Sequence, residues 1–300
     1  MPGALKSITT PALEIGYEEA GDETAPPVIL VHGFPDDART WDRVAPILND
    51  AGLRTLCPYV RGYGPTRFLD PATPRSAQYT ALAADITAFA DALELERLTL
   101  VGHDWGARAS YCVAAMRPRR LNALIVSPAG YGTGRPAQRM SVDQVRAYWY
   151  QWFFCTQRGR DALSEDAAGF CRELWRTWSP GWRFSDAEYE ATARSFDNPD
   201  FVDVVMHSYR YRWGFETPDP KYEDAETFMA GLPDISAPTV LVQGAEDGAS
   251  RPESSEGKER HFTGGYQRIL VEGAGHFAQR EKPEIFAAAI LEAINSNMDE

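Results

Sequence analysis

The stretch Leu98-Thr99-Leu100-Val101-Gly102-His103-Asp104-Trp105-Gly106-Ala107-Arg108 limits what this chain can fold into more than any other. A β-prone run stops at Gly-x-Asp-x-Gly, and a helical pattern begins at once. A strand that turns so sharply into a helix needs close backbone approach on both sides of the acid, which glycine allows. The acid is then thrust out above the sheet on strained backbone. It also stands at a helix N-terminus, whose dipole and free N–H groups favour its charged form. Asp104 is read as the carboxylate of a nucleophile elbow, a position that often carries serine. An ordinary helix-capping Asp is the competing reading, and the rest of the chain has to decide between them.

A length of 300 residues calls for one large core with an insertion, or for two domains. The formal net charge of −13 repels nucleic acid and anionic membrane surfaces, so neither is an expected partner. Met1 to Thr10 lacks a secretory pattern, and no run approaches the roughly 20 apolar residues that span a bilayer. A soluble, cytoplasmic protein is expected. Cys57, Cys112, Cys155 and Cys171 fall inside expected strands and helices without metal-ligand spacing, which predicts buried reduced thiols and no metal.

Strand and helix signals alternate through the N-terminal part. Strands are expected at 12–20 (half-exposed), 27–31, 55–60, 98–103 and 121–126, and helices at 40–51, 80–93 and from the elbow to Met116. This alternation implies a parallel sheet with right-handed crossovers. After Gly130-Tyr131-Gly132-Thr133-Gly134 the pattern changes for about a hundred residues, in which aromatics and arginines replace buried-strand signatures. This segment, 135–231, is expected to be a helical cap inserted into a core formed by 1–134 and 232–300. The strand pattern returns at 239–244 and 268–272, and a helix from Pro283 to Asn295 closes the chain.

A nucleophile, or the water that later attacks its ester, needs a base oriented by a third group. Of the five histidines, His276 stands in Gly273-Ala274-Gly275-His276-Phe277, just past an expected strand, where open α/β sheets place their sites. Asp247, in Gly244-Ala245-Glu246-Asp247, ends the preceding strand. The order nucleophile, acid, histidine is that of Asp104, Asp247, His276. His32 and His103 each precede a loop glycine and read as loop braces, while His207 and His261 read as solvent-facing. Two converging N–H groups are needed for an oxyanion, and Phe34 and Trp105 are placed to supply them.

These residues resemble the α/β-hydrolase superfamily, and within it the branch of epoxide hydrolases and haloalkane or haloacetate dehalogenases. His32-Gly33-Phe34-Pro35 resembles its oxyanion loop, Gly102-His103-Asp104-Trp105-Gly106 its aspartate elbow, Gly275-His276-Phe277 its histidine loop, and Arg61-Gly62-Tyr63-Gly64 is similarly typical. The resemblance implies an α/β-hydrolase fold with a mostly parallel central sheet flanked by helices. It also implies no organic cofactor, a small-molecule epoxide or organohalide and water as partners, and a chain open to forming a homodimer.

Leaving-group chemistry separates the branches. Opening an epoxide makes an alkoxide that needs an acid, such as tyrosine with its reference pKa of about 10, whereas a halide needs only N–H donors. Tyr150-Gln151-Trp152-Phe153-Phe154 and Tyr209-Arg210 resemble the cap segments that carry the two ring-opening tyrosines of epoxide hydrolases. Haloacetate dehalogenases have His-Trp at Tyr150-Gln151 and Arg at Trp105, and the Asn donor of haloalkane dehalogenases is replaced by Phe34. The expected reaction is opening of an epoxide to a vicinal diol through an ester on Asp104. Dehalogenation and a non-catalytic ligand-binding role are the alternatives. His32, Pro35, Trp105, Arg108, Gln151 and Phe154 are expected around the substrate. For Arg108 two readings stay open: a grip on a substrate carboxylate, or an ion pair under the cap.

Overall fold

The computed structural model describes residues 3–135 and 138–296. Among them, nine strands form one sheet: β1 (Ala4–Thr9), β2 (Leu13–Ala20), β3 (Pro27–Val31), β4 (Arg54–Pro58), β5 (Arg67–Phe68), β6 (Leu98–His103), β7 (Leu121–Ser127), β8 (Thr239–Gly244) and β9 (Tyr266–Val271). The order is β1-β2-β4-β3-β6-β7-β8-β9, with β5 added to β2. Pairings from β4 through β3 to β9 are parallel, and β2 runs antiparallel to β1, β4 and β5. β3, β6 and β8 are buried almost throughout because helices cover both faces.

Helices α1 (Ala45–Asp50), α2 (Tyr79–Ala92) and α3 (Trp105–Met116) precede the insertion. Seven more lie between β7 and β8: α4 (Val142–Ala147), α5 (Trp149–Phe154), α6 (Gln157–Glu165), α7 (Ala167–Trp178), α8 (Asp186–Ala193), α9 (Phe201–Arg212) and α10 (Glu223–Ala230). α11 (Ala278–Glu281) and α12 (Pro283–Asn295) end the fold. α2 packs on α3, and α12 packs on α1, β7 and β8.

The two ends of the helical insertion are tied together. Arg135 donates to the carbonyls of Ala230 and Met229, and the Tyr131 hydroxyl donates to the Pro233 carbonyl at 2.7 Å. Within it, α7 buries Cys171, Leu174, Trp175 and Trp178, an i, i+3, i+4, i+7 stripe, and Asp166 caps its first turn. In α9 the same spacing brings Phe201, Val204, Val205, Ser208, Tyr209 and Arg212 to the buried side.

Several local expectations are corrected. The helix expected over 40–51 is a short 3-10 turn at Ala38–Trp41, then α1; Pro46 has no N–H to carry a continuous ladder through Asp42. β2 is almost wholly buried because β1 and β5 lie against it. Its acids find partners: Glu18 accepts from the Tyr59 hydroxyl and Glu19 from Arg54, both at 2.7 Å. β1 and β5 carried no alternation to reveal them, since β1 is largely exposed and β5 has two residues. All four cysteines are free, and Cys155 is half-buried rather than buried. Among the described residues no helix is long and apolar enough to cross a membrane, and no group of side chains is placed to hold a metal ion.

Parallel register aligns the strand ends that matter. Val31 pairs with Gly102, His103 with Ser127, and Gly244 with Val271, so the loops after β3, β6, β8 and β9 emerge along one edge. The insertion leaves from that edge too, after β7.

Candidate active site

Asp104 has φ 51° and ψ −109°, a left-handed conformation that costs of order 1–3 kcal/mol for a residue with a side chain. The elbow is held by close packing of its glycines. A side chain on Gly106 would put its Cβ 2.3 Å from the Val31 carbonyl oxygen, and one on Gly102 would lie 2.5 Å from Gly106. The turn therefore fits against β3 only as Gly-x-Asp-x-Gly.

The loop after β3 meets it. The Phe34 N–H donates to Oδ1 of Asp104 at 3.0 Å, and the Trp105 N–H also bonds this carboxylate. Burial pushes the Asp104 carboxyl up, while His276, Arg108 and the two N–H groups act in the opposite direction. Oδ2 faces Nε2 of His276 at 3.9 Å.

His276 is buried, and its Nδ1 lies 3.0 Å from Oδ2 and 3.1 Å from Oδ1 of Asp247. Asp247 is itself fixed by the N–H groups of Ala249 and Ser250 at 2.7 and 2.8 Å. Its neighbour Glu246 points outward and is exposed. Burial works to lower the His276 imidazole, yet the Asp247 charge and hydrogen bond, with Asp104, hold it above its ordinary value. Its Nε2 has no hydrogen-bond partner among the described residues, which leaves it free for a water in front of Asp104.

The cap brings two phenols within reach of the Asp104 charge. Tyr150 on α5 and Tyr209 on α9 stand edge to face, 5.3 Å between ring centroids, and both pack against Phe34. Both are pushed well above the ordinary tyrosine value, by burial first; Asp104 adds to it in each case, so both stay protonated at neutral pH. Gln151 donates from Nε2 to the Tyr150 hydroxyl at 2.7 Å, which leaves the phenol's own proton free to be given away. Phe154 fills the wall between Phe34 and Tyr209, at 6.0 and 5.6 Å.

The alpha/beta hydrolase fold family matches residues 26–283. The chain is 38% identical to epoxide hydrolase 3 of Siraitia grosvenorii over 96% of this chain and 97% of that one. It is 39% identical to an epoxide hydrolase of Caballeronia sordidicola, over 91% and 88% of the two chains. A solved structure from Klebsiella pneumoniae, provisionally described as an epoxide hydrolase, superposes with a TM-score of 0.91 at 38% identity over 97% of both chains. The chain belongs to the α/β-hydrolase family, beside the epoxide hydrolases.

In this hydrolase some expected substrate residues hold the site rather than line it. His32 is fully buried, its Nε2 accepting from the Val60 N–H at 3.0 Å; burial takes it down to about 4, and it braces the oxyanion loop. The Pro35 carbonyl accepts from Trp175 of the cap at 2.7 Å. His103 reaches the His276 carbonyl at 3.0 Å, bracing as expected. His207 corrects its solvent-facing reading: its Nδ1 accepts from the Ala77 N–H at 3.0 Å, joining cap to core. His261 is half-buried, edge-on to Tyr131.

Arg108 corrects the second of its two readings. Among the described residues it has no carboxylate partner; it donates to the Thr133 carbonyl and lies over the Tyr79 ring.

Three residues of the hydrolase's site escaped sequence reasoning. The Trp178 carbonyl accepts from both the Gly248 and His276 N–H groups, at 3.0 and 3.1 Å, so one cap residue pins the acid loop and the histidine loop together. Glu281 accepts from the Gly275 N–H at 2.9 Å and the Ser179 hydroxyl at 2.7 Å, anchoring the histidine loop from behind. Arg212 donates to Oε1 of Gln151 at 3.1 Å, orienting the amide that holds Tyr150. A main-chain acceptor leaves no mark in a sequence. Arg212 left one, a cation at the apolar spacing of α9.

Proposed function

We propose that this hydrolase opens epoxides to vicinal diols through an ester on Asp104. The observation that carries the reading is the division of labour on one carboxylate: Oδ1 is held by the Phe34 N–H, Oδ2 faces His276, and two protonated phenols stand nearby. Oδ2 attacks a ring carbon, the C–O bond breaks, and Tyr150 or Tyr209 gives the departing oxygen its proton. His276 then takes a proton from water, which attacks Cγ, and the negative charge forms on Oδ1 against the Phe34 and Trp105 N–H groups. Collapse releases the diol with Oδ2 in it. The imidazolium and the new carboxylic acid return protons to the alkoxide and the phenolate. The partners in this reading are a small-molecule epoxide and water, with no place for nucleic acid on so acidic a protein. A cytoplasmic setting, in which the four cysteines stay reduced, belongs to the same reading.

One observation favours dehalogenation as a second reading. Nε1 of Trp105 and Nε1 of Trp178 are buried without an acceptor among the described residues, and an indole N–H can receive a halide. A panel of aryl and alkyl epoxides assayed for diol, beside haloalkanes, chloroacetate and fluoroacetate assayed for halide release, separates the two. Diol formation with halide release at least a hundredfold slower is expected. Halide release without diol formation would replace the first reading with the second.

A further inference from the structure

We propose that Arg212 is a positioning residue for ring opening: it fixes Gln151 as a donor to Tyr150, and its charge balances the negative charge that proton donation leaves on the cap. The inference rests on the epoxide reading and concerns where the charge goes in its first step. Before ring opening the negative charge is on Asp104. Oδ2 then bonds the ring carbon, the C–O bond breaks, and the phenol's proton passes to the released oxygen, so Asp104 becomes a neutral ester and the charge remains as a phenolate on Tyr150 or Tyr209. Both phenols are buried among aromatic rings, where an unbalanced charge is costly.

Arg212 stands against both. It follows Tyr209 on the buried side of α9, and its guanidinium carbon lies 4.7 Å from the centroid of the Tyr209 ring. Nη1 donates to Oε1 of Gln151 at 3.1 Å, and Nε1 of Trp213 donates to the same oxygen at 2.9 Å. Arginine and indole N–H groups can only donate, so they settle which way the amide faces. Its Nε2 is turned to the Tyr150 hydroxyl, which it meets at 2.7 Å. A bond donated to a phenol oxygen strengthens when that oxygen becomes a phenolate, and more so when a cation polarises the donor amide from its other end. Such a gain appears as the proton leaves and so favours the transition state over the ground state. One guanidinium thus serves both acids, Tyr150 through the amide and Tyr209 through its ring.

Its charge is not spent elsewhere. Arg61 is held by both oxygens of Asp85 at 2.6 and 2.7 Å, and Arg280 by both oxygens of Asp36 at 3.0 and 2.6 Å. Arg212 is only 6% exposed, yet among the described residues it forms no ion pair with a carboxylate. Its partners are neutral, Gln151 and the Tyr79 hydroxyl, and its Nε is buried without an acceptor. Burial pulls the guanidinium down, but an arginine keeps its proton at neutral pH. Arg210 is no substitute, being bound to the carbonyls of Phe154 and Thr156 at 2.9 and 3.1 Å.

The test reads the phenols directly. Trifluorotyrosine, whose phenol ionises well below that of tyrosine, is placed at 150 or at 209 and titrated by fluorine NMR. In Arg212→Met each phenol should ionise about one pH unit or more higher than with Arg212 in place, and Arg212→Lys should recover part of the difference. Arg212→Gln, which keeps a donor and loses the charge, gives the same reading at Tyr209 should the Met variant not fold. Midpoints that do not move overturn the proposal. Ester formation on Asp104, followed by mass spectrometry in His276→Gln, is the second readout. 1,2-Epoxypropane releases a more basic alkoxide than its 3,3,3-trifluoro analogue and leans harder on the acid. Arg212→Met should slow the first about tenfold or more and the second far less, with partial recovery in Arg212→Lys. Equal slowing of both would assign Arg212 to packing and overturn the proposal. If the phenol midpoints move as expected while no epoxide forms an ester, the action of Arg212 on the phenols stands and the epoxide reading falls.

Discussion

The Phe34 N–H and Asp104 Oδ1 are joined at 3.0 Å, so the two oxygens of the Asp104 carboxylate already differ before any substrate arrives. In the proposed route the oxygen bound by Phe34 stays on the enzyme through the first turnover and carries the negative charge when the ester is attacked, and the other, 3.9 Å from His276 Nε2, leaves in the product.

A single turnover with excess enzyme in heavy-oxygen water should therefore place the label in the Asp104 carboxylate and leave the diol unlabelled. Mass spectrometry of the peptide containing Asp104 reads it. His276→Gln should form the ester and fail to release it, giving a mass increase equal to the epoxide, whereas Asp104→Ala should show neither adduct nor turnover. Label in the first-turnover diol would falsify the covalent route.

The pH dependence follows from the charges around His276. Asp247 and ionised Asp104 both raise its pKa in the free enzyme, and esterification removes the Asp104 charge. The imidazole must be neutral to take a proton, so ester hydrolysis should rise with pH to a plateau. Its midpoint should lie below the His276 midpoint measured by NMR on the free enzyme. Asp247→Asn should lower the rate of this step by about 10²- to 10⁴-fold, and Glu246→Gln should leave it unchanged. A midpoint at or above that of the free enzyme would mean that Asp104 and His276 are not coupled.

The phenol pair can be tested by subtraction. Tyr150 is held by Gln151 while Tyr209 is not, so Tyr150→Phe should cost more than Tyr209→Phe, both within about 10²-fold. With both phenols gone the alkoxide has no donor, and kcat for epoxide opening should fall by about 10⁴-fold or more. Halide release, if present, should fall far less. Equal losses on both reactions would assign the tyrosines to packing.

Much of this site was legible because its residues sit where strands end. Asp104, Asp247 and His276 each follow an apolar run, and parallel register brings such ends to one edge. Phe34 was legible through its place after β3. What stayed hidden was of another kind. The Trp178 carbonyl acts through its backbone, and β1 packs as an edge strand with almost no buried face. His207 looked polar and exposed because nothing local announces that Ala77, 130 residues away, donates to it. Arg108 was left open for the same reason: whether an acid lay nearby depended on the fold of the cap.

The joint between cap and core supplies the last prediction. Asp37, just beyond the oxyanion loop, is 1% exposed and accepts from the cap hydroxyls of Ser195 and Thr192 at 2.6 and 3.1 Å. Burial, with the Asp36 charge beside it, pushes its carboxyl up to about 7. An unfolded Asp titrates at about 3.9, so the folded state binds this proton more tightly. By linkage, the stability from that proton is fully present below about 4 and is lost as pH rises through about 7. Asp37→Asn keeps the shape and accepts the same hydroxyls but cannot ionise. Its melting temperature relative to the wild type should therefore be more favourable at pH 8 than at pH 5. A difference that stays constant between those two pH values would show that Asp37 is ionised throughout, held by hydroxyls and the Arg39 N–H alone.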